Sequence, residues 1–574
     1  MKSLMKYLKD YKVESFMAPL LKMTEAGFEL FVPLVIASII DNGINKGQAG
    51  TEHIYKMGVV LLGLAIIGLV CAITAQYFAA KAATGFSYKL RHELFKHIQS
   101  LSFTEIDQTG TSTLITRMTS DVNQVQNGVN MVLRLFLRSP IIVFGAMIMA
   151  FTVNFNAALI FVVTIPILTL AVGIIMKVTI PLYKKVQSRL DDVLQSTREN
   201  LTGVRVIRAF SKEEEEIEQY NQEIDVLNDI QIYVGRISSF MNPVTFIIVN
   251  FATIVLIFTG AIKVDEGIIS QGDVVALVSY MSQILVELIK LANLIITITK
   301  ALACANRIET VLETKPSMSN GTYKGDGDSD CCVEFSNVSM TYKDAGAESI
   351  TGLSFTAMKG ETVGIIGGTG SGKTTIVNMI PRFYDATSGE VKVNGINVKE
   401  YDIETLRMKI GNVMQKAVLF KGTIRSNLLW GNESATEDEL IEALKASQSY
   451  EFVSKLEKGL DEEISQGGKN LSGGQRQRLS IARALVRKPE ILILDDSSSA
   501  LDFATDAKLR MALARLKNTT KFIISQRTSS IMHADKIIVL DDGDVAGIGT
   551  HEELLNNCEV YKEIYDSQFL KKAE

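Results

Sequence analysis

Residues Gly367-Gly368-Thr369-Gly370-Ser371-Gly372-Lys373-Thr374 spell G-x-x-x-x-G-K-[ST] between an apolar run at 363–366 and a helix-patterned run at 376–380. Glycines let backbone N–H groups converge on phosphate oxygens, and the helix that follows presents its positive end. Lys373 reaches the terminal phosphates and Thr374 offers a hydroxyl to Mg²⁺, with Thr375 closing the stretch. The order strand, loop, helix is what this chemistry requires, so an ordinary glycine turn explains the run less well. Further along, Ile491-Leu492-Ile493-Leu494-Asp495 is an apolar run ending in a carboxylate. As a buried parallel strand it delivers Asp495 to a metal at its C-terminal end. Upstream of it lies Leu471-Ser472-Gly473-Gly474-Gln475, ahead of a helical run at 479–485. Its serine and glycines can offer a hydroxyl and N–H groups to a second phosphate cluster at a helix start.

Together these motifs resemble the nucleotide-binding domain of ATP-binding cassette (ABC) transporters, and 471–475 match that family's signature without a change. The resemblance implies ATP and Mg²⁺ as cofactors, with Tyr342 stacked on adenine and Gln415, in the Q-loop, contacting both Mg²⁺ and the membrane domain. It places Ser499-Ala500-Leu501-Asp502 as the D-loop. Taken singly, Tyr342 reads as a core or edge-strand tyrosine, and only its position ahead of the phosphate loop favours stacking; Gln415 rests on the same ground. In this family two cassettes dimerise head to tail. Each ATP then lies between the phosphate loop of one chain and the signature residues Ser472, Gly473, Gly474 and Gln475 of the other.

Two positions depart from the family pattern. Asp496 stands where a glutamate normally polarises the attacking water, one methylene shorter than that base. General-base catalysis is worth about 10²- to 10⁴-fold, and a displacement of about 1 Å costs of order 100-fold. Gln526, in Ser525-Gln526-Arg527, stands where the family carries its switch histidine. It can donate an amide hydrogen bond to a γ-phosphate, but it neither titrates nor carries charge. With the binding motifs intact, both changes together favour a site that retains nucleotide and turns it over slowly. His533 falls in the stretch leading to the next strand and reads as a surface or core histidine. The intact signature can still complete the site of a second half-transporter that carries the missing glutamate and histidine. That pattern resembles one half of a heterodimeric bacterial exporter with one consensus and one degenerate ATP site.

The elements that position this chemistry are of two kinds. Apolar stretches long enough to cross a bilayer of about 30 Å, at about 20 residues each, fall near 18–41, 56–83, 132–153, 156–180, 242–264 and 272–299. The first contains Glu25 and Glu29, and the last Glu287 and Lys290, so those two spans rest partly on the resemblance. Lys2, Lys6, Lys9 and Lys12 precede the first span, and Lys and Arg fill the second and fourth connections while the other connections are short and nearly free of them. The bias puts both termini on the cytoplasmic side. The inside connections are helix-patterned, with turns near 103–113 and 209–220. In exporters of this family such turns dock into the cassettes, although Lys212-Glu213-Glu214-Glu215-Glu216 also reads as a solvated helix face.

Charges within spans are functional candidates because hydrocarbon burial is costly. Glu29, Arg134 and Arg138 divide evenly between that reading and structural pairing, and Glu287 is the candidate for a substrate cavity. Met131, Met147, Met149 and Met281 could line an adaptable pocket or simply fill packing gaps. The chain of 574 residues with net charge −5 offers no basic patch for nucleic acid. Five cysteines show neither disulfide nor zinc spacing, no cleavable signal is expected, and the cassette should face a reducing cytosol.

The expected fold is therefore a polytopic α-helical membrane domain of type I exporter kind (1–314), a Gly/Ser/Pro-rich linker (315–330) and an α/β P-loop nucleotide-binding domain (331–574). No internal repeat is evident, so the twofold comes from a second chain. The expected function is ATP-driven export of an amphipathic compound across a bacterial cell membrane. Its partners are the bilayer, that compound and a second half-transporter. A homodimer with two slow sites, or a nucleotide-gated regulatory or channel-like subunit, are the alternatives. A soluble cassette acting on ribosomes or DNA is disfavoured by the six spans.

Overall fold

The computed structural model describes residues 3–327, 329–343, 345–497 and 501–569. The chain forms two compact units, Met1–Gln99 with Thr111–Thr314, and Ser100–Gly110 with Lys315–Glu574.

Among the described residues of the first unit six long helical stretches are apolar enough to cross a membrane: Leu4–Asn42, Ile44–Ser100, Thr111–Val153, Phe155–Ala209, Glu213–Asp265 and Gln271–Glu313. Each contains one of the expected spans and extends beyond it. Where lipid tails are as apolar as the side chains, helices associate through close packing, and small residues permit it. Ala75, Ala79, Ala82 and Ala83 are accordingly buried on the second stretch, while Leu62, Ile66, Leu69 and Ile73 of the same stretch are exposed. A Cβ at Gly128 would lie 2.3 Å from the Ala301 methyl, and one at Gly145 would lie 2.3 Å from Leu30 Cδ1. Glycine there lets the third stretch approach the sixth and the first.

Charges reinforce these contacts. Arg138 donates to Glu287 Oε1 and to Glu29 Oε2, each at 2.7 Å, joining the third, sixth and first stretches. Glu287 also accepts from Ser139 and from Lys290, both at 2.8 Å, and is 3% exposed. The substrate-cavity reading of Glu287 is thus corrected: its carboxylate is consumed by a buried interhelical ion pair, since only an opposite charge and hydrogen bonds offset its desolvation. Met281 is likewise buried in the helix core.

Among its described residues the second unit contains twelve strands. A mostly parallel sheet has the order β12-β11-β3-β10-β9-β6, with strands β3 (Thr362–Gly367), β6 (Ile410–Val413), β9 (Ile491–Asp495), β10 (Thr520–Ile524), β11 (Lys536–Asp541) and β12 (Asp544–Gly549). Only β12 is antiparallel to its neighbour. An antiparallel sheet has the order β2-β1-β4-β5, from β1 (Cys331–Met340), β2 (Ile350–Met358), β4 (Ser388–Val393) and β5 (Ile396–Asn397), and β7 (Gly422–Thr423) pairs with β8 (Glu463–Ile464). All five residues of β9 are buried, as a strand covered on both faces must be. One core packs β1, β2, β3 and the helix Lys373–Met379, and another packs the helix Gly473–Val486 against β6 and β9.

Candidate active site

Three neighbouring parallel strands set the site. In register Ile365 of β3 faces Ile524 of β10, and Ile524 faces Asp495 of β9. The phosphate loop, Ser525-Gln526 and Asp495-Asp496 therefore leave the C-terminal edge of the sheet side by side, where open α/β sheets hold ligands. Asp496 N–H donates to Ile524 O at 3.0 Å, so Asp496 is tied to the end of β10, two residues ahead of Gln526.

The loop's shape depends on glycine. A Cβ on Gly367 would lie 2.3 Å from Leu540 O, and one on Gly372, at φ +88°, would lie 2.4 Å from Ser349 O. Gly368 and Gly370 face open space, leaving the concave side of the loop accessible to an anion. Lys373 is 9% exposed, and its Nζ donates to Gly367 O (3.0 Å), to Gly368 O and to Ser371 Oγ (3.3 Å). Burial holds the Lys373 ammonium below its ordinary range, and Asp495 and Asp496 pull it back up. A phosphate would give that cation the full negative partner that neutral loop oxygens do not supply.

Thr374 Oγ1 donates to Asp495 at 2.9 Å (Oδ2) and 3.2 Å (Oδ1). A hydroxyl and a carboxylate are hard oxygen donors, the set that Mg²⁺ takes together with nucleotide phosphates; these residues fit the ion. Asp495 is 6% exposed. Burial raises its carboxyl above the usual range, the Thr374 hydrogen bond lowers it, and the neighbouring Asp496 raises it further. Gln415 follows β6 and is exposed; among the described residues it makes no hydrogen bond to Thr374 or Asp495. The structure thus joins two of the three expected metal-binding residues.

Asp496 is half-buried with φ +44°. The Gln526 side chain is exposed, but its backbone is held: Gln568 Nε2 donates to Gln526 O at 2.8 Å, and Thr528 N–H donates to Gln568 Oε1 at 2.9 Å. One amide from the helix Glu559–Phe569 thereby clamps both sides of Arg527. Nothing in the local sequence marks Gln568 for that role. His533 is exposed, after the helix Thr528–Ile531.

Ser472 and Gln475 form a capping box, with Gln475 N–H donating to Ser472 Oγ at 3.2 Å and Ser472 N–H to Gln475 Oε1 at 2.8 Å. The S-x-x-Q spacing carries this signal in the sequence. Ser472 and Gly473 are exposed, Gly474 and Gln475 half-buried. Tyr342 is half-buried, its hydroxyl 3.1 Å from Thr375 Oγ1, next to the loop it is expected to serve. In the expected D-loop, Ser499 and Ala500 lie outside the described residues. Asp502 caps the helix Phe503–Ala514 by accepting from Thr505 N–H at 2.9 Å.

Residues 15–288 match the ABC transporter transmembrane region, and residues 350–499 match the ABC transporter family model. The chain is 38% identical over 573 residues to an uncharacterized ABC transporter ATP-binding protein of Bacillus subtilis, covering 99% of both chains. The chain belongs to the ABC transporters. It is a half-transporter of the exporter kind, a multi-pass membrane domain and an ATP-binding cassette in one polypeptide. It is also 31% identical to the putative multidrug export ATP-binding/permease protein of B. subtilis, over 99% of each chain. With the ATP-dependent lipid A-core flippase of Haemophilus influenzae it shares 30% identity, over 93% of this chain and 91% of that one.

Proposed function

We propose that this ABC half-transporter is the slow-site subunit of a two-chain exporter. Its own phosphate loop binds Mg²⁺–ATP and hydrolyses it slowly, while its signature completes the faster site of a partner half-transporter carrying the glutamate and the histidine. The observation that carries this reading is the pairing of Asp496 and Gln526 at adjoining strand ends beside an unaltered phosphate loop.

In this reading Lys373 and the loop amides hold the β- and γ-phosphates, and Thr374, Asp495 and Gln415 would hold Mg²⁺, which would supply neutralising positive charge at the phosphates. Tyr342 stacks on adenine. Asp496 reaches for the attacking water from too far back, and the neutral Gln526 amide donates to the γ-phosphate without a histidine's proton chemistry. The exposed Ser472 and Gly473 meet the partner's γ-phosphate. ATP then closes the cassette pair for many partner turnovers, and by linkage nucleotide here and cargo in the membrane bias each other's affinity.

For the cargo we propose an amphipathic compound moved outward across the cell membrane, with termini and cassette on the cytoplasmic side. The relatives' names mention multidrug export and lipid A-core, and the class common to a drug-like and a lipid-like cargo is a molecule that partitions into the bilayer.

The test is steady-state ATP hydrolysis by the purified full-length chain in lipid, with ATP binding measured on the same sample. Binding with negligible turnover, rescued by a second half-transporter, is the expected result. Robust turnover by the chain alone, lost in Asp496→Ala, would replace the heterodimer by a homodimer in which aspartate suffices.

A further inference from the structure

Among the described residues, three side chains take hold of the backbone that follows β10. Ser525 Oγ accepts from Arg527 N–H at 2.9 Å. Gln568 takes the peptide groups on both sides of Arg527, as donor to Gln526 O at 2.8 Å and as acceptor from Thr528 N–H at 2.9 Å. Arg510, ion-paired with the buried Asp506 at 3.2 Å, donates to Ser529 O. Arg510 belongs to the helix Phe503–Ala514, and Gln568 to the last turn of the helix Glu559–Phe569.

A side-chain amide carries the same donor and acceptor as a peptide group, so Gln568 completes this stretch as a neighbouring strand would. A carboxylate could accept but not donate, and an ammonium could donate but not accept. The helix that presents the amide is firmly seated. Tyr561 is fully buried with Leu554, Cys558 and Ile537, in the same core as Ile531 of the helix Thr528–Ile531. The Tyr561 hydroxyl lies 2.7 Å from His551 Nδ1, and the Tyr565 ring stacks on Phe569 at 4.6 Å. Gln568 itself is exposed, so burial does not dictate an amide there, and its two hydrogen bonds are what it contributes. The clamped segment also carries Arg527, whose guanidinium lies over the Phe503 ring at 5.1 Å, while the Gln526 side chain is left exposed at the sheet edge.

We propose that Gln568 is a positioning residue for the terminal phosphate of bound ATP: by holding Gln526 O and Thr528 N–H on a seated helix, it aims the Gln526 side chain at the γ-phosphate. The proposal rests on the reading of Gln526 as the γ-phosphate contact. It makes the helix Glu559–Phe569 part of how the site tells a triphosphate from a diphosphate, although that helix touches neither the phosphate loop nor the metal residues through Gln568.

Equilibrium binding to the full-length chain in lipid tests it, titrating with Mg²⁺–ADP or with Mg²⁺ and a non-hydrolysable ATP analogue. Gln568→Met keeps the length of the side chain and replaces its amide by a thioether that cannot donate. It is expected to weaken binding of the triphosphate about 5-fold, the net scale of one hydrogen bond, and to leave ADP affinity unaltered. Gln526→Ala should do the same, and adding Gln568→Met to it should cost little more, because the two act on one contact. Equal loss of both nucleotides in Gln568→Met would mark a general collapse of the segment, and no loss of either would mark a clamp without consequence; each result overturns the proposal. If Gln526→Ala leaves triphosphate affinity intact, the reading of Gln526 falls and the proposal with it. A loss in Gln526→Ala with none in Gln568→Met removes the proposal alone.

Discussion

Lengthening Asp496 to glutamate tests whether base position limits turnover at this site. The substitution adds one methylene, roughly the 1 Å whose misplacement costs of order 100-fold. Against this stands the backbone: Asp496 has φ +44°, a region that Asp enters more readily than longer side chains. Left-handed backbone costs a side-chain-bearing residue about 1–2 kcal/mol, and each 1.4 kcal/mol is about tenfold in rate. The Asp496 N–H bond to Ile524 O already holds that conformation and keeps the cost at the low end. Asp496→Glu is therefore expected to raise ATP turnover of the chain alone by roughly 10- to 100-fold, with ATP affinity unaltered. Phosphate release from the full-length chain in lipid, at saturating Mg²⁺–ATP, measures it. Adding Gln526→His should give a non-additive further gain, because both positions follow the ends of the paired strands β9 and β10 and act on one nucleotide in the proposed site. The reasoning is refuted if Asp496→Glu turns over no faster than the unaltered chain while binding ATP equally well.

Two further outcomes follow from the charges. Asp495, the proposed Mg²⁺ partner, would hold the ion only when ionised, and burial raises its carboxyl above the usual range, so Mg²⁺-dependent ATP affinity should decline on acidification at a higher pH than an ordinary aspartate would dictate. In the nucleotide-free chain the sign reverses: the folded state holds that proton more tightly than the unfolded one, so this group's contribution to stability falls as pH rises from the ordinary to the raised value. Isothermal titration of Mg²⁺–ATP across pH checks the first, and an affinity that stays flat down to the ordinary carboxylate range would contradict it. Arg138→Ala should cost about 3–5 kcal/mol, the loss expected when one partner of a buried ion pair is removed, seen as a lower unfolding temperature in detergent. Arg138→Ala with Glu287→Gln should recover part of it, because the buried Glu287 then carries no charge left for Lys290 and Ser139 alone to offset.

How much was legible in the sequence depends on whether the signal is local. Strand β9 announces itself because four apolar residues in a row, Ile491 to Leu494, can only be buried on both faces, and its terminal carboxylate follows the strand to the sheet edge. The six membrane stretches are legible for the same reason: length and hydropathy are sums over neighbours. Contacts between distant residues carry no such signature. Arg138 and Glu287 lie 149 positions apart, and each alone reads equally as a cavity charge or as half of a pair. Tyr384 and Asp107 are 277 apart, and the grouping of 100–110 with the cassette is a tertiary fact. The capping box at Ser472 and Gln475 is the opposite case, a local signal overshadowed by the functional reading of the same residues.

The two readings of that motif are compatible and explain why it can be read in either. Gln475 Oε1 and the Ser472 hydroxyl satisfy two of the orphan backbone donors at the start of Gly473–Val486. The helix start is thus held in shape without a partner chain, and the exposed Ser472 and Gly473 can meet a phosphate with little further ordering. Gln526, the proposed switch position, follows the same division. The Gln568 amide fixes the backbone on both sides of Arg527, leaving the Gln526 side chain exposed at the sheet edge. Placing histidine there changes chemistry on a backbone that is already positioned, so a gain in turnover from Gln526→His would report the new side chain rather than a rebuilt loop.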